Sequence, residues 1–425
     1  MGSTLVCAFL VLLLGGAPIP FALGLASLAA LYVGDMEMIL LPQRIVVGTD
    51  SFSLLAVPFF ILAGELMQRG GLSARLIHFA NTLIGHITGG LAMATVLAAT
   101  FFAAISGSAP ATTASIGSIM IPEMEKKGYR RDFGAALCSA AGPIGQMIPP
   151  SIPMVIWAVM SNVSISQLFL AGIGPGLLMA LALMITSYII SKKKGYVGSG
   201  RKATLREVAA SARDGFWALL APVIILGGIY SGVFTPTEAA AVSVAYGLVI
   251  GLYVYKDLKA AEIPAVFINT IRTTTMVIFV ISVASLFGWI MASEQIAPML
   301  VQGLLDISTN KILVLLMINL ILLIIGCMMD NIAAMVILAS VLTGVAAKIG
   351  VDPVHFGAIV VINFAIGMVT PPIGYSLFVG ASVAKLSIEQ VTRAAWPFLI
   401  AEFIVLMLLT YIPAITLFIP KLFYP

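Results

Sequence analysis

The sequence predicts an all-α polytopic membrane protein made of two inverted-topology repeats. Each repeat has five crossings and one re-entrant helical hairpin, with helices broken at the midplane. Three observations carry this reading. The chain is 60% hydrophobic and 9% charged, its mean hydropathy is +1.11, and apolar runs of spanning length recur from end to end. This excludes a soluble globular fold. Landmarks also recur in one order at one offset. Ser108 and Asp330 are 222 positions apart (330 − 108), as are Gly128 and Gly350, and Pro149 and Pro371. Phe133-Gly134-Ala135 and Phe356-Gly357-Ala358 agree within one position of that offset, and so do Ser164-Ile165-Ser166-Gln167 and Ser387-Ile388-Glu389-Gln390. This pattern marks an internal duplication. The third observation is charge. Lys126, Lys127, Arg130 and Arg131 crowd one short loop, whereas the corresponding stretch 348–353 carries one basic and one acidic residue. With the first loop cytoplasmic, Lys192–Lys194, Lys256 and Lys385 also fall inside, as the positive-inside rule requires. An odd number of crossings per repeat then inserts the second repeat upside down.

The first repeat spans residues 1–190. Leu5–Leu14 and Pro20–Tyr32 are short apolar helices separated by Gly15-Gly16-Ala17-Pro18. Residues 33–50 read as a loop, and Phe52–Met67 as a span. Leu72–His86 places Arg75, His78 and Asn81 among apolar residues, an amphipathic helix suited to the membrane interface. Residues 91–124 form the first hairpin, with Leu91–Ile105 and Ala111–Met124 flanking the polar tip Ser106-Gly107-Ser108. Residues 133–160 form a helix broken at Pro149-Pro150, and Leu168–Ile190 closes the repeat.

Residues 191–214 are the hydrophilic linker between repeats, placed in the cytoplasm by charge. The second repeat, 215–425, starts with Phe216–Tyr230, Glu238–Tyr255 and Pro264–Met291. An amphipathic segment follows at Glu294–Leu305. The second hairpin, 312–347, has arms Ile312–Ile325 and Ile332–Ala347 around the tip Gly326–Asn331. The broken helix 356–384 carries Pro371-Pro372, and Trp396–Ile419 closes the chain as one span.

The hairpin arms read as about 14–16 residues, roughly 21–24 Å at 1.5 Å per residue, short of the ~30 Å hydrocarbon core. Arms of that length enter and return from one side and leave the tip inside the membrane. The alternative is a pair of tilted spans joined by an external loop. The double prolines weigh against that alternative, because each breaks a long apolar run at depth, and the freed backbone groups cannot face lipid. Helix C-termini near Ile105, Ala141, Ile325 and Ile366 offer carbonyls to a desolvated cation such as sodium. Helix N-termini near Ala111, Ser151, Ile332 and Ile373 offer NH groups to an anion. Ser106, Ser108, Gln146, Ser151, Asp330, Asn331, Asn363 and Thr370 add side-chain oxygens, and Gly107, Gly142, Gly326 and Gly367 permit close backbone approach. Such an arrangement suits secondary transport. It is poor for an enzyme: an intramembrane hydrolase built on Ser106 or Ser108 lacks a base, since His78, His86 and His355 sit in an interfacial segment and a loop. No charged ring or carbonyl-repeat filter suggests a passive channel. Cys7, Cys138 and Cys327 are scattered and suggest neither disulfides nor a metal knot, and the net charge of +4 reads as topology, not nucleic-acid binding.

At these motifs the chain resembles the large membrane subunit of tripartite ATP-independent periplasmic (TRAP) transporters. The resemblance rests on Pro58-Phe59-Phe60-Ile61-Leu62-Ala63-Gly64, Ser106-Gly107-Ser108 with Ala111-Thr112, Ile121-Pro122-Glu123-Met124, Ile148-Pro149-Pro150-Ser151-Ile152-Pro153, Gly232–Ala240 and Thr370-Pro371-Pro372-Ile373-Gly374. One departure bears on substrate more than on fold: the second arm of the second hairpin, Asp330–Lys348, contains none of the prolines that many members carry. The resemblance implies a scaffold and an elevator-type transport domain in a bacterial inner membrane. It implies sodium as coupling ion, two or more per cycle, and an organic acid, sialic acid or a C4-dicarboxylate, as substrate. It implies two partners, a small four-helix membrane subunit and a periplasmic substrate-binding protein. Carried onto this sequence, one sodium site uses Ser106, Gly107, Gly142 and Pro149, and the other Gly326, Met329, Gly367 and Thr370. Tip position assigns substrate contacts to Ser108, Thr112, Asp330 and Asn331. The other transport reading is a divalent-anion/sodium symporter that works without a binding protein.

Overall fold

The computed structural model is helical across its described residues, 1–198 and 200–424; Ser199 of the expected linker and Pro425 lie outside them. Helices Gly2–Leu14 and Ile19–Val33 form a pair alongside the longest helix, Ile263–Ser293. The Gly2 amide donates to Glu294 Oε2 (2.5 Å). Phe9 and Phe21 meet Phe287 and Phe279 at 5.3 and 5.7 Å between ring centroids. The pair thus runs down the long helix, and its turn at Ala17-Pro18 reaches the level of Met276.

Helix Ala56–Arg69 packs in parallel on Pro236–Val249. Thr237 Oγ1 donates to the Phe52 carbonyl (3.3 Å) at one end, and Gly70 and Gly251 lie in backbone contact at the other. The expected amphipathic helix is present as Leu72–Ile84, burying Leu72, Leu76, Ile77 and Ala80. Its Arg75 joins three segments at one end of the molecule. The guanidinium donates to Asp257 (2.5 Å), lies 3.7 Å from Asp214, and stacks over the Tyr255 ring at 3.7 Å.

The first hairpin consists of Gly90–Ser106 and Ala109–Lys126. Its base is fixed at the same end, where the Gly89 amide donates to the Tyr196 carbonyl (3.0 Å) and the Arg130 amide to the Tyr196 hydroxyl (3.2 Å). Because Lys126–Arg131 and Lys192–Lys194 lie here, this is the basic end. In the adjoining loop the Asp132 carboxyl is partly buried, which alone would raise its pKa. Hydrogen bonds from Arg130 and the Phe133 amide outweigh that and hold it below the usual carboxylate range. The second hairpin, Lys311–Met328 and Asn331–Lys348, has its base at the opposite end. There the Tyr411 hydroxyl, at the far terminus of helix Ile388–Tyr411, donates to the Ile312 carbonyl (3.1 Å). That helix begins at the basic end, where Arg131 Nε donates to the Ala384 carbonyl (2.7 Å). The two hairpins therefore enter from opposite ends and their tips meet in the interior.

Each double proline breaks a helix as expected. The first broken helix is Arg131–Ala141, the single turn Ile144–Met147, and Ile152–Ser161, bent by 43°. The second is Pro353–Gly367 and Tyr375–Ala384. Pro149-Pro150 and Pro371-Pro372 are both cis.

Several boundaries differ from expectation. The hairpin arms are 17, 18, 18 and 18 residues, because each helix runs through its polar tip to the last turn. Both arms of the second hairpin are among the seven described helices long and apolar enough to cross a membrane, so length alone does not mark a re-entrant hairpin. The stretch 33–50 is not all loop: Leu40–Val47 is helical. The linker carries a helix, Leu205–Asp214, started by a capping box between Thr204 and Glu207. The closing span is two helices, Ile388–Tyr411 and Ala414–Phe423. Pro413 forces Ile412 out of helical geometry (φ −118°, ψ 83°).

Candidate functional site

The two tips close in different ways. In the first, Gly107 ends the arm with φ +60°. A Cβ there would lie 2.7 Å from the Pro150 carbonyl oxygen, so both conformation and space require glycine. Ser106 Oγ and Thr112 Oγ1 are 2.8 Å apart, and Thr112 Oγ1 donates to the Ser108 carbonyl (2.9 Å). In the second tip, Met329 and Asp330 turn the chain in extended conformations. Asp330 Oδ1 caps the next helix, accepting from the Ile332 and Ala333 amides (3.0 and 3.2 Å).

Each tip docks on the broken helix of its own half. The Ile152 amide donates to the Gly107 carbonyl (3.3 Å), and the Gly374 amide to the Cys327 carbonyl (3.4 Å). Ile152 and Gly374 are equivalent at the repeat offset. At the second seam a Cβ on Gly367 would come within 2.8 Å of the Gly326 carbonyl carbon. At the tips, one side chain bridges the halves. Gln146 accepts from Asn331 Nδ2 (2.9 Å) and donates from Nε2 toward Met368 Sδ (3.4 Å), and all three are buried. Gln146 and Met368 are themselves 222 positions apart, so equivalent positions of the two halves face each other at the centre of the molecule.

Between these elements lies a cavity of about 670 Å³, a volume suited to a small organic solute. Of the sequence-predicted residues, Ser106, Gly107, Ser108, Gly326, Met329, Asp330 and Asn331 line it. Five stand behind its wall. Thr112 is buried against Ser106. Gly142 is packed on Thr113, whose hydroxyl is buried and unpaired. Pro149 is buried at the break, Gly367 lies on Gly326, and Thr370 Oγ1 donates to the Ile366 carbonyl (2.9 Å). The donor set is carbonyl and hydroxyl oxygen throughout, which fits a hard monovalent cation. Thr113 was not singled out from sequence, although its hydroxyl has free capacity at the first seam.

The opposite wall was also missed. Ile61, Gly64, Glu65 and Gln68 line the cavity from helix Ala56–Arg69, and Thr273, Met276, Val277 and Val280 from Ile263–Ser293. Glu65 lies near the end of the expected span Phe52–Met67, where a carboxylate ordinarily turns to the membrane interface. In the fold it faces the cavity, with Arg69 one turn below at 3.8 Å. The available signal was its position beside Gly64, which lets the first tip approach: a Cβ on Gly64 would sit 3.5 Å from the Ser106 carbonyl oxygen.

Residues 6–415 match the family model described as "Tripartite ATP-independent periplasmic transporter, DctM component". The chain is 47% identical over 411 residues to the isethionate TRAP transporter permease protein DctMQ of Oleidesulfovibrio alaskensis, covering 96% of this chain and 65% of that protein. It is 43% identical to the sialic acid TRAP transporter large permease protein SiaM of Vibrio cholerae (97% of this chain, 96% of that one). It is 44% identical to the C4-dicarboxylate TRAP transporter large permease protein DctM of Pseudomonas aeruginosa (88% and 87%). Among solved structures it resembles the YdaH transporter of Alcanivorax borkumensis, with a TM-score of 0.62 and 14% identity over 87% of this chain and 86% of that one. At that identity the likeness concerns the fold alone.

Proposed function

The chain belongs to the DctM family of TRAP transporter large permeases, a multi-pass inner-membrane protein and not an enzyme, and from that premise we propose that it imports an organic anion coupled to sodium. One observation carries the reading: two hairpin tips from opposite ends meet at one cavity lined by helix termini, with no basic side chain at either tip. The anion is then held by helix N-terminal amides other than those of Ile152, Ile332 and Ala333, which are already paired, and by the field of bound sodium. Sodium is held by tip and break carbonyls with Ser106, Thr370 and Thr113. A carboxylate or a sulfonate suits such a site. The relatives carry names for sialic acid, a C4-dicarboxylate and isethionate, so the acid group is common to the class and the rest of the solute is open. A small membrane subunit and a periplasmic binding protein complete the transporter.

The cycle is an elevator. The first tip lies beside positions 61–68 of helix Ala56–Arg69, and the second beside 273–280 of Ile263–Ser293. Both stretches are on the basic-end side of helices that run in opposite directions, which supports reading this as an inward-facing arrangement. Exchanging the roles of the halves at the repeat offset moves the first tip to positions 51–58 and the second to 283–290. That shift of ten positions is about 15 Å at 1.5 Å per residue.

The test is uptake of labelled sialic acid, succinate and isethionate into proteoliposomes holding the chain, its small subunit and its binding protein, with and without an inward sodium gradient. Sodium-driven uptake that needs all three components is expected, and Ser106→Ala and Thr370→Ala should weaken the sodium dependence. Unchanged sodium dependence in both variants removes the ligand assignment. Uptake by this chain alone favours the binding-protein-independent symporter. For the elevator, cysteines at Met328 and Leu286, the exchanged counterparts of Ser106 and Gly64, should crosslink in the outward state of a variant lacking the native cysteines. Absence of that crosslink in a variant that still transports rejects the displacement.

A further inference from the structure

The cavity has a one-sided electrostatic character. Among its described lining residues two side chains are charged, Glu65 and Asp330, and both are acidic. They belong to different bodies. Asp330 sits in a tip and would travel with the solute. Glu65 sits on helix Ala56–Arg69, about a third exposed, and would stay behind. Arg69 pairs with Glu65 at 3.8 Å but does not itself line the cavity.

The same wall in the exchanged arrangement carries no charge. Positions 61, 64, 65 and 68 correspond to Val283, Leu286, Phe287 and Ile290. Positions 273, 276, 277 and 280 correspond to Ser51, Leu54, Leu55 and Pro58. At these eight wall positions, a carboxylate therefore faces the carried anion only in the cytoplasmic arrangement. Like charges at a partly buried site repel more strongly than in bulk water, and the nearest cation, Arg69, lies outside the cavity lining and offsets only part of the effect.

We propose that Glu65 is a release residue: its carboxylate lowers the affinity of the inward-facing cavity for the anionic solute and so biases transport toward discharge into the cytoplasm. Arg69 sets the strength of this effect by partial neutralisation. The inference rests on the transport reading above and adds a side-specific role for one scaffold side chain. It makes Glu65 a positioning element of the field, with no part in the tip sites that select the solute.

The experiment measures both faces of the reconstituted three-component transporter, using whichever of labelled sialic acid, succinate or isethionate the native protein takes up. Half-saturation is measured from outside, and inhibition of uptake by the same unlabelled anion is measured from inside. Glu65→Gln keeps the shape and removes the charge. It is expected to strengthen internal inhibition about three- to tenfold and to leave external half-saturation unchanged. Arg69→Gln should shift internal inhibition in the opposite direction, and high internal salt should shrink both shifts. Glu123→Gln, an exposed acid on the first hairpin's basic-end arm, controls for loss of charge alone. Equal shifts at both faces, or no internal shift in Glu65→Gln, overturn the proposal. Absence of sodium-driven uptake by the native protein would instead defeat the transport reading, which separates the two failures.

Discussion

The two hairpin tips share a plan and differ in how they are held. The first is closed from within. Gly107 makes the turn, Ser106, Ser108 and Thr112 bond to one another, and its arms pack together. The second has no glycine in its turn and leaves Met328 and Asp330 exposed, and its arms pack mostly on other helices. It is held from outside, by the Gly326–Gly367 seam and by Gln146 of the other half. A tip held from within moves as a unit, whereas one held by its neighbours can release when they change. The second tip is thus the one that depends more on its neighbours.

The sharpest test of this contrast is glycine at each seam. Gly107→Ala must adopt positive φ and meet a backbone carbonyl, at a cost of at least about 3 kcal/mol. Loss of folded protein is expected on fluorescence-detected gel filtration. Gly326→Ala keeps an ordinary helical φ and meets the Phe364 ring at 3.1 Å, a contact that a shift of a few tenths of an ångström relieves. It should fold, lose about 1 kcal/mol, and transport slowly. Equal damage from both variants would erase the distinction. Next is Gln146→Leu, which leaves the buried Asn331 amide unpaired, a loss of about 1–3 kcal/mol. A fall in thermal stability is expected, with protease cleavage appearing at the second tip and not the first. The smallest effect belongs to Asp330. Asp330→Ala should lose about 1 kcal/mol of capping, while Asp330→Asn keeps the cap. Native sodium dependence in Asp330→Asn would mark the residue as a cap; loss of that dependence with stability intact would mark it as part of the ion site.

Much of this was legible in the sequence because the duplication and the double prolines are covalent facts with local consequences. Two prolines in an apolar run must break a helix wherever the run packs, so Pro149 and Pro371 located both breaks. Arm length was less legible, because helices run through a polar tip until a capping residue or a positive-φ glycine stops them. The break at Ile412-Pro413 has the same local cause as the others, but without a polar neighbour it read as continuous span. Asp330 was legible as an intramembrane acid, and its two capping bonds only from the helix it starts. Glu65 faces the site because of how the tip leans on Gly64, a tertiary fact whose one local mark is the glycine beside it. Glu402, fully buried with neither carboxylate oxygen paired, lies in a run read only as span.

Gln146 opposite Met368 has a thermodynamic consequence. In a chain whose halves were identical, the residue at that position would face its own copy, and exchanging the halves would convert the inward arrangement into the outward one at no change in energy. Both would be equally populated in a symmetric bilayer without ligands. A glutamine facing a methionine, bonded to an asparagine whose counterpart is Ala109, breaks that degeneracy at the centre of the molecule. Under the proposed exchange, the resting preference of the empty carrier follows from sequence divergence between the halves, at positions that include the cavity wall itself.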